Sequence, residues 1–365
     1  MTLHLDTDER ANVTARPFAA VGANAAIPRT QRRRRGARTA GGMLVLLAVL
    51  VLAVLLSLAV GANPLSVSTV WNTLLGEGNT ETNYIVFDLR IPRTITGLVA
   101  GAALGIAGAL IQAFTRNPLA DPGILGVNAG AALAVALGIT LLGLRDVSQF
   151  VWFAFAGALI VTIAVYLIGS SGRGSADPLR LTLAGVALGA VLSGITTGLS
   201  LSNPDAFDSM RSWNAGSLLG RGLDAILPVL PFVVVGILIA LFLAPGLNAV
   251  GLGEDVARSQ GANVLGIRLG VIVAVTLLAG SATALAGPIS FIGLMVPHVI
   301  RWTFGVDQRA ILPLAALLAP VILLLADVLG RVIIAPAEVP VGIVAAVVGA
   351  PVLILLARRR NASAL

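Results

Sequence analysis

The chain has 365 residues, 57% of them hydrophobic and only 11% charged, with a net charge of +7 and a mean hydropathy of +0.96. A soluble domain carries about a quarter charged residues, so the soluble globular class is excluded and an all-α polytopic membrane protein is expected. Neither cysteine nor lysine occurs, which removes disulfides, thiolate metal sites, Schiff-base chemistry and the lysine that a Walker A loop requires. The two histidines, His4 and His298, stand far apart in the chain and offer no metal site between them.

Residues 1–41 hold eight arginines against Asp6, Asp8 and Glu9, a local charge of +5 that leaves only +2 for the rest. A basic run such as Arg32 to Arg35 can serve nucleic-acid binding. Here no aromatics interleave it, and the apolar stretch Met43 to Val60 follows almost at once. The run therefore reads as a cytoplasmic anchor at the end of a disordered tail. The stretch is long for a signal-peptide core, which argues against cleavage near Val60 and Ala62.

Apolar runs between polar breaks predict ten membrane helices, near 42–62, 93–113, 123–144, 150–169, 181–201, 224–245, 266–286, 289–304, 311–331 and 339–357. A less apolar stretch between the fifth and sixth, Asp205 to Leu219, reads as a surface helix. With both termini inside, cytoplasmic segments collect 18 arginines and external segments six, namely Arg90, Arg93, Arg145, Arg211, Arg221 and Arg331. Without the tail the bias remains 10 to 6, so an even number of spans agrees with the positive-inside rule.

A weak internal repeat accompanies this pattern. LVAGAALGIAG (98–108) and LLAGSATALAG (277–287) share six of eleven residues at an offset of 179. They lie in the second and seventh spans, with four spans between, so they would run in opposite directions, as in transporter folds built from inverted repeats. Helices 2–5 and 7–10 are the expected repeat units.

Several side chains stand out on residue grounds alone. Glu254 and Arg258, in a polar island at 253–263, are spaced to pair on a short helix, and Gly261 suits its end. Ser193, Thr196, Thr197 and Ser200 fall at i, i+3, i+4 and i+7 on one helix face, suited either to lining a path or to packing. Gly342, Ala345, Ala346 and Gly349 form a small-residue packing face. Asp327 is the one acidic residue deep in an apolar run, and Arg331 one turn later predicts an ion pair. His298 reads as a satisfied structural histidine.

Six stretches carry a more specific signal: RIPRT (90–94), NPLADPGILGVNAGA (117–131), LAGVALG (183–189), GEDVARSQGANV (253–264), AGPISFIGLMVPHVIR (286–301) and AEVPVGIVAAVVGAP (337–351). In this order they resemble the permease subunits of type II ABC importers, which carry iron–siderophore complexes, haem or cobalamin. The resemblance covers about residues 41–360. It implies a permease domain over 42–360, paired with an identical or related permease in a bacterial cell membrane. Two separate ATP-binding subunits, using ATP and Mg, and an external substrate-binding protein complete the assembly. This chain itself would bind no cofactor or metal and perform no catalysis.

By the same resemblance, Gly253, Glu254, Asp255, Ala257, Arg258 and Gly261 form the segment seated in the ATPase. Arg90, Arg93 and Arg331 accept carboxylates of the binding protein. Ser193, Thr196, Thr197 and Ser200 flank the path, and Asn117, Leu119, Asp177, Pro178 and Leu179 form an inner gate. The NPLADPG and GVNAGA wording of the second stretch looks most like the ferric-siderophore branch. Against this stand an ion-coupled carrier, for which Asp327 is a thin supply of ionisable groups, and a membrane enzyme, which lacks a cluster to do chemistry.

Overall fold

The computed structural model describes residues 29–61, 65–171 and 178–358. The chain divides into two units, residues 1–38 and 39–365, of which the second is the helical body. Among the described residues ten principal helices occur: α1 (Arg29–Ala59), α2 (Ile91–Thr115), α3 (Val127–Leu142), α4 (Val147–Ser170), α5 (Pro178–Ser202), α6 (Leu230–Gly251), α7 (Val264–Ala286), α8 (Ile292–Phe304), α9 (Gln308–Ile333) and α10 (Val341–Arg358). Each coincides with one of the ten apolar runs.

Two boundaries differ from the sequence reading. Helix α1 begins at Arg29, within the stretch assigned to a disordered tail ending at 41. Arginine, glutamine and alanine favour helix, and the long apolar helix behind them removes the cost of nucleation. The surface helix runs Pro204–Asn214, started by Asn203, whose side chain accepts from Asp205 and Ala206 N–H. It stops short of Leu219 because the chain turns at Gly216, where φ is 68°.

Among the described residues, seven segments are long and apolar enough to cross a membrane: those ending in α1, α2 and α4 to α7, and α9. Helices α3 and α8 have 16 and 13 residues, about 24 and 20 Å, against a hydrocarbon core of about 30 Å. Helix α10 is likewise short in its apolar part, Val341–Leu355. Helix α2 is extended at its start by a π-helix, Tyr84–Arg90, in which the Ile91 N–H reaches back to the Val86 carbonyl.

The two repeated segments lie on α2 and α7, the most enclosed helices, which pack against each other. Neighbour relations repeat as well. Helix α2 packs on α9 and α8, as α7 packs on α4 and α3. Within each half, α3–α4, α4–α5 and α3–α5 have counterparts in α8–α9, α9–α10 and α8–α10. The halves therefore interlock, each contributing its first helix to the other's third.

A small-residue ridge brings α2 close to α9. A Cβ on Gly101 would lie 2.6 Å from Pro320 Cα, and one on Gly105 would lie 2.7 Å from the Ala315 carbonyl oxygen. Backbones can approach this closely only where no side chain intervenes, the packing mode that replaces hydrophobic driving force in lipid. By contrast α1 is lightly enclosed, with 11% of its apolar window buried.

Candidate functional site

The polar island forms a short helix, Glu254–Ser259, between α6 and α7. Its end is a Schellman cap: Gly261 N–H bonds to the Arg258 carbonyl and Ala262 N–H to the Ala257 carbonyl, both at 2.9 Å. Gly261 has φ 79°, open to glycine without strain. Ala257 is buried with Val250 and Val264, which seats the helix on the ends of α6 and α7. The expected Glu254–Arg258 pair is present at 3.4 Å.

Glu254 has two further partners that sequence spacing did not disclose. Its carboxylate pairs with the buried Arg268 of α7 and lies 3.9 Å from Arg116 at the end of α2. One acidic side chain thus ties the short helix to two spans. Gly253 to Val256 also line an open cleft of about 620 Å³ with Phe114, Thr115, Arg116 and Leu179. The cleft joins the expected coupling segment to one of the expected gate residues. Leu119 and Leu179 present apolar side chains 52% and 64% exposed, and Asn117 Oδ1 accepts from Leu119 N–H in a tight turn. Pro178 opens α5; Asp177 lies outside the described residues.

Near the same end, Pro297 interrupts α8. Proline has no N–H for the carbonyl four residues earlier, which here belongs to Gly293. Gln112 of α2 replaces the missing donor: its Nε2 bonds to Gly293 and Leu294 carbonyls at 3.3 and 3.2 Å, and its Oε1 accepts from Arg301. His298 departs from expectation. It is buried, but neither ring nitrogen has a partner among the described residues, and the ring packs edge-on against Trp302 at 5.1 Å. The Leu294 carbonyl one turn before it is already engaged by Gln112.

At the opposite end the three arginines assigned to docking turn inward. Arg90, Arg93 and Arg331 are 5%, 7% and 1% exposed, around an Asp327 that is wholly buried. The expected Asp327–Arg331 pair forms, with Nε to Oδ2 at 3.0 Å. Arg93 grips the same carboxylate through Nε at 2.9 Å and Nη2 at 2.7 Å, and reaches Glu338 at 2.7 Å.

The remaining hydrogen-bonding capacity of these arginines closes the end of α1. Arg331 Nη1 donates to the Ser57 and Val60 carbonyls at 2.7 and 2.9 Å, while Arg90 Nη1 donates to those of Leu58 and Ala59 at 2.5 and 2.9 Å. These are the four carbonyls that a helix end leaves without intrahelical donors. The two positive groups also face the negative end of the helix dipole. A further link joins Ser57 Oγ to Thr94 Oγ1 at 2.8 Å. Arg90 and Arg331 thus cap the end of α1, while Arg93 is engaged by Asp327 and Glu338.

The hydroxyl stripe of α5 is not one uniform surface. Ser193 lines a cavity of about 310 Å³ with Asn128, Asn214 and Gly189. Thr196 is buried, Thr197 exposed and Ser200 between. Thr196, Thr197 and Ser200 each donate to a carbonyl one turn back, which leaves oxygen lone pairs as their available function. The small face of α10 packs as expected: a Cβ on Gly342 would lie 2.4 Å from the Ala215 carbonyl oxygen. Arg221, in the connection before α6, donates to the Leu285 carbonyl, and burial pushes its guanidinium down to about 10.

A bundle of interlocked apolar helices with a braced polar helix at one end is the architecture of a polytopic membrane protein. Residues 49–359 match the FecCD transport family, and the chain belongs to it. The ferric enterobactin transport system permease FepD of Escherichia coli (strain K12) is 50% identical over 316 residues, covering 87% of this chain and 94% of that protein. The probable siderophore transport system permease YfiZ of Bacillus subtilis (strain 168) is 39% identical, covering 87% and 95%. The hemin transport system permease HmuU of Yersinia pestis is 36% identical, covering 88% and 95%. A solved structure described as an inward-facing conformation of a metal-chelate type ABC transporter matches with a TM-score of 0.77 at 27% identity, covering 86% of this chain and 98% of that one.

Proposed function

We propose that this ABC-transport permease moves a ferric siderophore into the bacterial cytoplasm, driven by ATP and Mg bound on separate subunits. The observation that carries this reading is the helix Glu254–Ser259: exposed on its outer side, capped at its end and braced by Glu254 to α2 and α7. Such a rigid protrusion suits transmission of force from a partner. The substrate follows from relatives named for ferric enterobactin and siderophores at 50% and 39% identity, against 36% for a hemin permease.

In this reading the end carrying Glu254 faces the cytoplasm, as do both termini. Leu119 and Leu179, with Asn117, Asp177 and Pro178, close the path there. A second permease, identical or related, covers the exposed face of α5. The substrate-binding protein docks at the opposite mouth, where Arg90, Arg93 and Arg331 act by holding α1, α2 and α9 in register beneath it. An ion-coupled carrier is disfavoured because Asp327 is locked between Arg93 and Arg331.

The test is capture of an ATP-binding subunit by this chain from solubilised membranes, beside a variant lacking residues 253–263. Capture by the intact chain and its loss in the variant are expected. Absence of any ATP-binding subunit on the folded, intact chain would overturn the reading.

A further inference from the structure

Helix α6 leads into the short helix Glu254–Ser259, yet Pro245 stands inside it. A proline removes one hydrogen bond and creates a kink point, so the last turns of α6 are only weakly tied to the rest. Motion delivered to Glu254–Ser259 would be absorbed by bending at Pro245 unless those turns were fastened elsewhere. Asn248 provides the fastening. Its Nδ2 donates to Asp307 Oδ1 at 2.6 Å, and its Oδ1 accepts from Gln308 N–H at 2.8 Å. Asp307 in turn caps α9 by accepting from Arg309 N–H at 3.0 Å.

We infer that Asn248 is a positioning residue for transport, which locks the coupling helix to the start of α9 and so carries its movement across the membrane. This rests on the ATP-driven reading above. Helix α9 is a suitable recipient. Although it contains Pro313 and Pro320, around those residues it lies backbone against backbone on Gly101 and Gly105 of α2. At its far end it bears Asp327 and Arg331, which hold α2 and the last carbonyls of α1. A displacement entering at Asn248 therefore reaches the opposite mouth without passing the kink.

The experiment uses the complete transporter in proteoliposomes, with ferric siderophore uptake and ATP hydrolysis measured together. Asn248→Ala is expected to assemble with its ATP-binding subunits and hydrolyse ATP, but to import at least about tenfold less substrate per ATP, since two hydrogen bonds are lost, one of them to a charged group. Asn248→Asp places two carboxylates together and is expected to be worse. The exchange Asn248→Asp with Asp307→Asn restores one amide and one carboxylate in reverse order and is expected to recover coupling.

Unchanged coupling in Asn248→Ala would overturn the inference, as would failure of the exchange to recover any coupling. If Asn248→Ala does not assemble, the exchange variant decides alone. Failure of the parent complex to link uptake to ATP hydrolysis would instead overturn the functional reading beneath it.

Discussion

Arg93 holds Asp327 through two parallel hydrogen bonds across 234 residues of sequence. The pair joins α2 to α9 at the buried end of the arginine cluster, where Arg331 shares the carboxylate. Removing one partner of such a group leaves charge uncompensated in an apolar interior, which costs more than the pair itself contributes. Asp327→Asn is therefore expected to destabilise the permease by about 3–5 kcal/mol. Glu338→Gln is expected to cost much less, because Glu338 is partly exposed and its ion pair is with Arg93, which keeps Asp327. Thermal unfolding of the two purified variants in one detergent checks the order.

Arg331 and Arg90 share the terminal carbonyls of α1, and little else encloses that helix. Ser57, at the junction, is fully buried. The absence of native cysteine makes a reporter simple. Ser57→Cys in the parent is expected to resist a membrane-impermeant maleimide. The same substitution combined with Arg331→Gln is expected to be modified readily, because α1 loses two carbonyl partners and its link to Asp327. Equal labelling in both would show that the cap does not hold α1.

Gln112 completes the hydrogen bonding that Pro297 leaves open in α8. Gln112→Leu is expected to cost about 1–3 kcal/mol, the penalty of an unsatisfied buried acceptor. Gln112→Glu should be more damaging, since a carboxylate would face the Gly293 and Leu294 carbonyls, even though Arg301 keeps an acceptor. Denaturant titration followed by tryptophan fluorescence distinguishes them.

Two glycines of α5 should respond in opposite directions. A Cβ on Gly185 would lie 1.8 Å from the Ile124 carbonyl oxygen, whereas one on Gly194 meets nothing within 4 Å. Gly185→Ala is expected to cost about 1–3 kcal/mol or more through overpacking. In the separated chain Gly194→Ala is expected to gain up to about 1 kcal/mol from helix propensity. Unfolding midpoints of both, compared with the parent chain, provide the check.

The ten helices were legible because each is a long or flanked apolar run, and the Gly261 cap and Glu254–Arg258 pair because they are local. Asp327 with Arg331 was legible for the same reason, one helical turn apart. Arg93 with Asp327, Glu254 with Arg268 and Asn248 with Asp307 were not, because they depend on which helices are neighbours. The α5 stripe shows a related limit: helical spacing puts its four residues on one face, but packing against adjacent helices decides which remain accessible. Two signals were nevertheless available. The arginines on the side read as external ran against the expected charge bias, and Pro297 within an apolar helix required a foreign donor that a glutamine in another span supplies.

The dependence of α1 on Arg331 places a late event in the birth of the protein. Helix α1 is synthesised well before α9, and the arginine for its Ser57 and Val60 carbonyls comes 274 and 271 residues later. At about 5–20 residues per second, the ribosome needs roughly 15–55 s to deliver it. During that interval α1 has an unfinished end, and its mooring is completed only when α9 arrives.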